Sequence, residues 1–299
     1  MSANSLLSAA VSSGDVGLVR DAVRLGARVG GYELYTALEA RNHRVVAALL
    51  DAGAVVSVDD VDAAAKAGVT LADLEPLLAR RGVDAPTEAL FCPGVLANAD
   101  LLHAMLARGA RVAHVREDDG FTPLHVAAEA GLAPACAALL DAGAALEARA
   151  WERGVAAEGY ERWDSGETPL LVATLCSHWQ LSPTATIALL VQRGADVNAR
   201  TAANWTGLLR VARYGPVEAV VALADGGASV DVVCDEGFTP MWLACERDAS
   251  SRSVAVAREL LRRGAPVHGR DKRGRTCADL AGSAEMIALL RDAEGRAPS

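Results

Sequence analysis

The chain has 299 residues, of which 52% are hydrophobic and only 4% aromatic, and its formal net charge is −9. That length fits one long domain or two ordinary ones, and a core of small aliphatics suits closely stacked helices better than a sheet sandwich. The acidic balance argues against a general nucleic-acid binder, which needs excess cations to neutralise phosphates, and no run approaches the roughly 18 apolar residues of a membrane-spanning helix.

The opening stretch, MSANSLLSAAVSSGD, has no basic residue ahead of its short apolar patch and reads as mature protein, not as a signal peptide. Six cysteines without a CxxC pair indicate a cytoplasmic chain with reduced thiols. Lysine occurs only at Lys66 and Lys272; the other basic residues are arginines.

Along the chain the sequence repeats itself. A first unit starts at Ser5 and carries glycines at Gly14 and Gly26. The next starts at Tyr32, has Arg41 where the middle glycine belongs, and ends "LLDAGA" with Gly53. Units over 59–83 and 88–110 close at Gly82 and Gly109; they lack a Thr-Pro start, and Pro93 falls inside the predicted first helix of the second. In "DGFTPLHVAAEAGLAPACAALLDAGA", 119–144, Thr122 and Pro123 form a helix start, an N-cap oxygen followed by a first-turn proline. Gly131 breaks that helix, Ala135, Leu139 and Leu140 recur at helical spacing, and Gly143 closes the second helix with a left-handed cap. The pattern returns from Thr168 to Gly194, from Thr206 through Gly215 to Gly227, and in "FTPMWLA", 238–244, through to Gly264. A shorter ninth unit from Thr276, "TCADLAGSAEMIALLRDA", reads as a cap. Each unit is thus a helix–turn–helix with a connector, and no pair buries its apolar face alone, so neighbours must stack.

Thr122-Pro123-Leu124-His125 with Ala127, Ala128 and Gly131 resembles the ankyrin-repeat signature, as do "ETPLLVA" at 167–173, "FTPMWLA" and "RGADVNAR" at 193–200. The resemblance covers about residue 5 to 292 and implies an all-α solenoid of stacked helix pairs, one continuous domain over 1–292 with a tail at 293–299. A full ankyrin unit has about 33 residues. The N-terminal units fall short in the connector, which the resemblance makes a β-hairpin finger, so their fingers are expected to be trimmed to plain turns. The longest gap, Gly143 to Gly194, holds "RAWERGVAAEGYERWDSGE" at 149–167 where a finger belongs, so that stretch is expected to be an enlarged finger. Longer helix–helix turns are expected at 177–184 and 247–253.

No GxGxxG, P-loop, HExxH, GxSxG or zinc-spaced Cys/His set is present, and neither a cofactor nor a metal is expected. Cys176 and His178 are close in sequence but lack further ligands at suitable spacing. Cys92, Cys136 and Cys245 fall at packed helix positions, as small hydrophobes. His125 is expected to hydrogen-bond within the stack. Asp59, Asp60 and Asp62 lie where a helix begins and read as capping residues.

Surface features remain. In the family the fingers and first helices line a concave groove that binds proteins, and the residue before the Thr-Pro slot points toward it. That slot holds Phe121, Glu167, Trp205, Phe238 and Arg275. First-helix groove positions add Arg213, Tyr214, Glu246 and Arg247, and the enlarged finger adds Trp151 and Tyr160, with Trp163 assigned to packing. Aromatics and arginine are enriched in binding hot spots, and all of these residues except Glu167 and Trp163 form the expected partner-binding set. The stretch 258–275 is locally basic, which suits an acidic partner segment or a solvated cap. The function expected is non-catalytic recognition of a protein partner by a monomer that touches neither nucleic acid nor membrane. The alternative is a dedicated inhibitor or immunity-type regulator of one enzyme or toxin. Contacts are expected from about residue 117 onward.

Overall fold

The computed structural model describes residues 2–151, 166–175, 183–246 and 251–294. They form two compact units, Met1–His114 and Val115–Ser299, and among them all regular structure is helical, apart from two isolated bridges, Ala150 with Glu167 and Arg270 with Thr276.

The first unit consists of α1 (Ala3–Ser13), α2 (Val16–Arg24), α3 (Gly31–Glu39), α4 (His43–Asp51), α5 (Val58–Lys66), α6 (Leu71–Arg81), α7 (Ala85–Ala89), α8 (Pro93–Ala97) and α9 (Ala99–Ala107). First helices stack in the order α1, α3, α5, α8. The connectors 25–30 and 52–57 pass from one pair to the next without a bridge. They are the trimmed turns expected from the short spacing. Pro93 departs from expectation: it starts α8 instead of sitting inside a helix, with Cys92 extended before it. A first-turn proline gives up only an N–H that had no intrahelical partner. The extra turn α7 takes the residues ahead of it.

In the second unit lie α10 (Pro123–Glu129), α11 (Ala133–Asp141), α12 (Pro169–Ala173), α13 (Pro183–Gln192), α14 (Gly207–Tyr214), α15 (Val217–Asp225), α16 (Pro240–Glu246), α17 (Ser251–Arg262), α18 (Cys277–Leu280) and α19 (Ala284–Glu294). The second helices stack in chain order from α11 to α19, and first helices pack as α10 on α12, α14 on α16 and α16 on α18. Buried Leu139, Leu190, Leu223 and Leu260 supply a core leucine to each of α11, α13, α15 and α17.

All eight closing glycines read from the sequence, from Gly26 (φ 87) to Gly264 (φ 84), are left-handed. An L side chain there costs roughly 1–2 kcal/mol. Arg41, in a middle glycine slot, takes φ 52 nonetheless. Gly215 occupies the same slot but is extended, φ −86 and ψ 168, because Pro216 follows it and the residue before proline is pushed out of helical conformations.

Candidate functional site

In the second unit each connector closes by one recurring hydrogen bond. The N–H donates to the carbonyl of the slot residue: Arg116 to Phe121 (2.8 Å), Ala150 to Glu167 (2.9 Å), Thr201 to Trp205 (3.0 Å), Cys234 to Phe238 (3.2 Å) and Asp271 to Arg275 (3.1 Å). The residue before the slot is left-handed each time: Gly120, Gly166, Asn204, Gly237 and Gly274. Neighbouring fingers are joined through their backbones. Trp151 N–H donates to the Asp119 carbonyl (3.1 Å), Asp235 N–H to Ala203 (3.2 Å) and Lys272 N–H to Glu236 (3.3 Å). Ala150 and Glu167, the base of the expected enlarged finger, are shut as tightly as the others; residues 152–165 lie outside the described residues. Tyr160, Trp163 and Arg247 lie outside the described residues, as do Cys176 and His178.

The slot residues do not all reach the surface. Phe121 is only 2% exposed. It stacks on His125 at 5.1 Å and carries the Arg116 guanidinium at 5.4 Å. Glu167 is 1% exposed, and Arg210 grips both of its oxygens at 2.7 and 2.5 Å. These two positions face inward, contrary to the expectation that the slot points to a groove, because each has a partner inside the stack that solvent would have to replace. The sequence missed Arg210. A charged residue midway along an apolar first helix was the available signal, since a buried charge demands a counter-charge.

Trp205, Phe238 and Arg275 do form a continuous feature. Trp205 and Phe238 are half-buried and meet edge to face at 6.4 Å. Phe238 stacks on Trp242 at 4.4 Å. The Arg275 guanidinium lies 5.2 Å from the Trp242 ring and is held by Asp271 at 2.8 Å. Trp242 itself is wholly buried. It stands three residues after Thr239, as His125 does after Thr122. Its Nε1 donates to the Arg275 carbonyl (3.2 Å), and His125 Nε2 donates to the Glu167 carbonyl (3.1 Å). Both rings thus tie a first helix to the next finger.

At the other end of α14 and α16 the structure brings together three more expected residues. Arg213 Nε sits 3.1 Å from Glu246 Oε2, and the same guanidinium lies 5.0 Å from the Tyr214 ring. An eight-residue helix such as α14 is about 12 Å long, so the two clusters lie at the two ends of one helix. Trp151 is 49% exposed and runs across Gly120, whose added Cβ would fall 2.6 Å from the indole.

Several other titratable groups have structural roles. Asp60 accepts from Ser57 N–H (2.7 Å) while Ser57 Oγ accepts from Asp60 N–H (3.1 Å), a reciprocal cap. Asp62 accepts from Gly94 N–H (2.7 Å) and pairs with Lys66 (2.6 Å). Burial pushes the Cys92 and Cys136 thiols up to about 12, which keeps them unreactive. Among the described residues no group of three His, Cys, Asp or Glu is arranged to hold a metal ion, and no helix is long and apolar enough to cross a membrane.

No curated protein matches the chain. The family model for the ankyrin repeat matches residues 119–151, 165–202 and 236–272. The intervening residues 203–235 hold α14 and α15 and repeat the same finger closure and left-handed turn. On this match the chain carries three ankyrin repeats, all in its second unit.

Proposed function

We propose that the protein is a non-catalytic binding module that recognises a partner protein through the fingers and first helices of its second unit. Ankyrin repeats are generally protein-interaction modules, and the observation that carries the reading here is the Trp205–Phe238–Trp242–Arg275 series. Its inner ring is locked while Trp205 and Phe238 stay half-buried, so aromatic surface is presented on a rigid support at little cost in side-chain entropy. Trp151, on an earlier finger against Gly120, and Arg213, Tyr214 and Glu246, at the far ends of α14 and α16, are further candidates for the same surface. A monomer in the cytoplasm fits the five buried free thiols of the described residues.

The test is affinity capture with the full chain and with Trp205→Ala, followed by titration of the captured partner. Loss of about 2 kcal/mol or more in binding, with little change in melting temperature, is the expected result. An unchanged affinity together with a large drop in melting temperature returns Trp205 to a packing role.

A further inference from the structure

The basic stretch 258–275 separates into two parts. Arg258 is paired with Glu285, Arg262 with Glu259, and Arg263 with Glu259 and Asp225. The tip of the last finger differs: Arg270, Lys272 and Arg273 are exposed, and their side chains form no ion pair with any described residue. Asp271, the only acid of that finger, is 6% exposed. It is engaged by the Arg275 side chain and by the backbone N–H groups of Arg273 and Arg275. On the preceding finger Asp235 is taken by the Asn204 amide at 2.7 Å. Three cations without an ion pair therefore stand beside the end of the aromatic series, where Arg275 covers Trp242. Arg270 donates to the Gly274 carbonyl and is close enough to Asp279 to add to the Thr276 hydrogen bonds that lower that carboxyl's pKa.

We propose that the partner docks here through an acidic linear segment that carries one large apolar or aromatic residue. That residue rests against Trp205 and Phe238, and the neighbouring carboxylates lie beside Arg270, Lys272 and Arg273. The proposal rests on the binding-face reading above and adds the chemistry of the partner. A net charge of −9 repels acidic chains at long range, so the attraction acts only within the Debye length, about 8 Å at physiological salt. Nucleic acid fits the site less well, because its affinity comes from many phosphate contacts and only three cations without an ion pair are gathered on this finger among the described residues.

The experiment uses the full chain as bait for a displayed library of random linear peptides. Enriched peptides are synthesised with a fluorescent label and titrated against the natural chain, Trp205→Ala and the double variant Lys272→Glu/Arg273→Glu. The peptides are expected to combine Asp or Glu runs with Trp, Phe or Leu. The double variant should weaken them about tenfold or more, with melting temperature unchanged. The neutral pair Lys272→Gln/Arg273→Gln should give a smaller loss, and added salt should narrow all these differences. Peptides that depend on Trp205 but show no acidic bias overturn this inference and leave the binding-face reading standing. No enrichment, or peptides indifferent to Trp205→Ala, defeats both. An oligothymidylate that binds more tightly than every enriched peptide and is released by the double glutamate variant also overturns the inference.

Discussion

Glu167 and Arg210, 43 residues apart in sequence, form a two-pronged ion pair with side chains 1% and 4% exposed. The pair ties Glu167, beside the start of α12, to the following repeat. Arg210 Nη1 also donates to the Leu171 carbonyl (3.1 Å), and the Glu167 carbonyl accepts from both His125 Nε2 (3.1 Å) and Ala150 N–H (2.9 Å). One residue thus joins three successive repeats. Removing one partner leaves a buried charge alone, so Arg210→Met should cost about 3–5 kcal/mol. The double change Glu167→Leu/Arg210→Met should recover most of that, since apolar replacements of a buried pair are often neutral or better. Chemical denaturation measures both. A cost near that of an exposed pair, about 0–1 kcal/mol, would show that the pair is solvated.

His125 predicts an acid sensitivity. Burial lowers its pKa from 6.5 to about 4. Thr122 N–H donates to Nδ1 at 3.1 Å, so a proton arriving on Nδ1 would face a donor. The folded state therefore holds a neutral ring while the unfolded chain takes up a proton below 6.5. Stability is full above 6.5 and falls as pH drops toward about 4; the total approaches roughly 3 kcal/mol, from about 1.4 kcal/mol per pKa unit. Denaturation midpoints of the natural chain and His125→Gln should diverge less as pH falls through this window. A constant gap would mean that the ring titrates alike in both states.

How much of this was legible in the sequence follows from the range of the forces involved. Closing glycines, the Asp60 cap and the trimmed connectors were readable because local backbone geometry decides them within a few residues. Phe121, Glu167 and Arg210 were not, because their directions depend on contacts tens of residues away. Phe121 and Phe238 share a slot, yet the first packs on the small ring of His125 and is buried, while the second meets the larger Trp242 and stays half-buried. Gly215 shows the limit even locally: the glycine was in register, but Pro216 overrode its conformation.

Arg41 holds φ 52 in a slot that is left-handed glycine at Gly14, Gly68 and Gly131. Arg41→Gly should stabilise the first unit by about 1 kcal/mol. Relief of the left-handed strain, roughly 1–2 kcal/mol, is partly offset by the freer unfolded chain. Thermal denaturation reads it directly. A loss of stability would mean that the arginine side chain contributes more than its backbone costs.

Leu139 is fully buried on α11. Leu139→Ala should cost about 2–5 kcal/mol, and hydrogen exchange should rise first in α10, α11 and α13, because a repeat touches only its neighbours. An equal rise in every helix of the second unit would contradict nearest-neighbour coupling.

The base of the enlarged finger sets the last prediction. Ala150 N–H donates to the Glu167 carbonyl and Gly166 N–H to the Ala150 carbonyl, both at 2.9 Å. Arg149 Nη1 reaches the Gly166 and Arg200 carbonyls at 2.9 and 3.1 Å. Glu167 is further fixed by Arg210 and His125. Among the described residues, those that register this finger with its neighbours are thus 149–151 and 166–167. Replacing 152–165 by a short Gly-Ser link should leave the melting temperature almost unchanged, since halving a loop changes closure entropy by only about 0.6 kcal/mol. If the finger grips the partner, the same change should weaken partner binding in titration, with Trp151 still in place across Gly120. Full affinity in the shortened chain would show that recognition does not use 152–165. A large fall in melting temperature would show that the base does not hold the finger by itself.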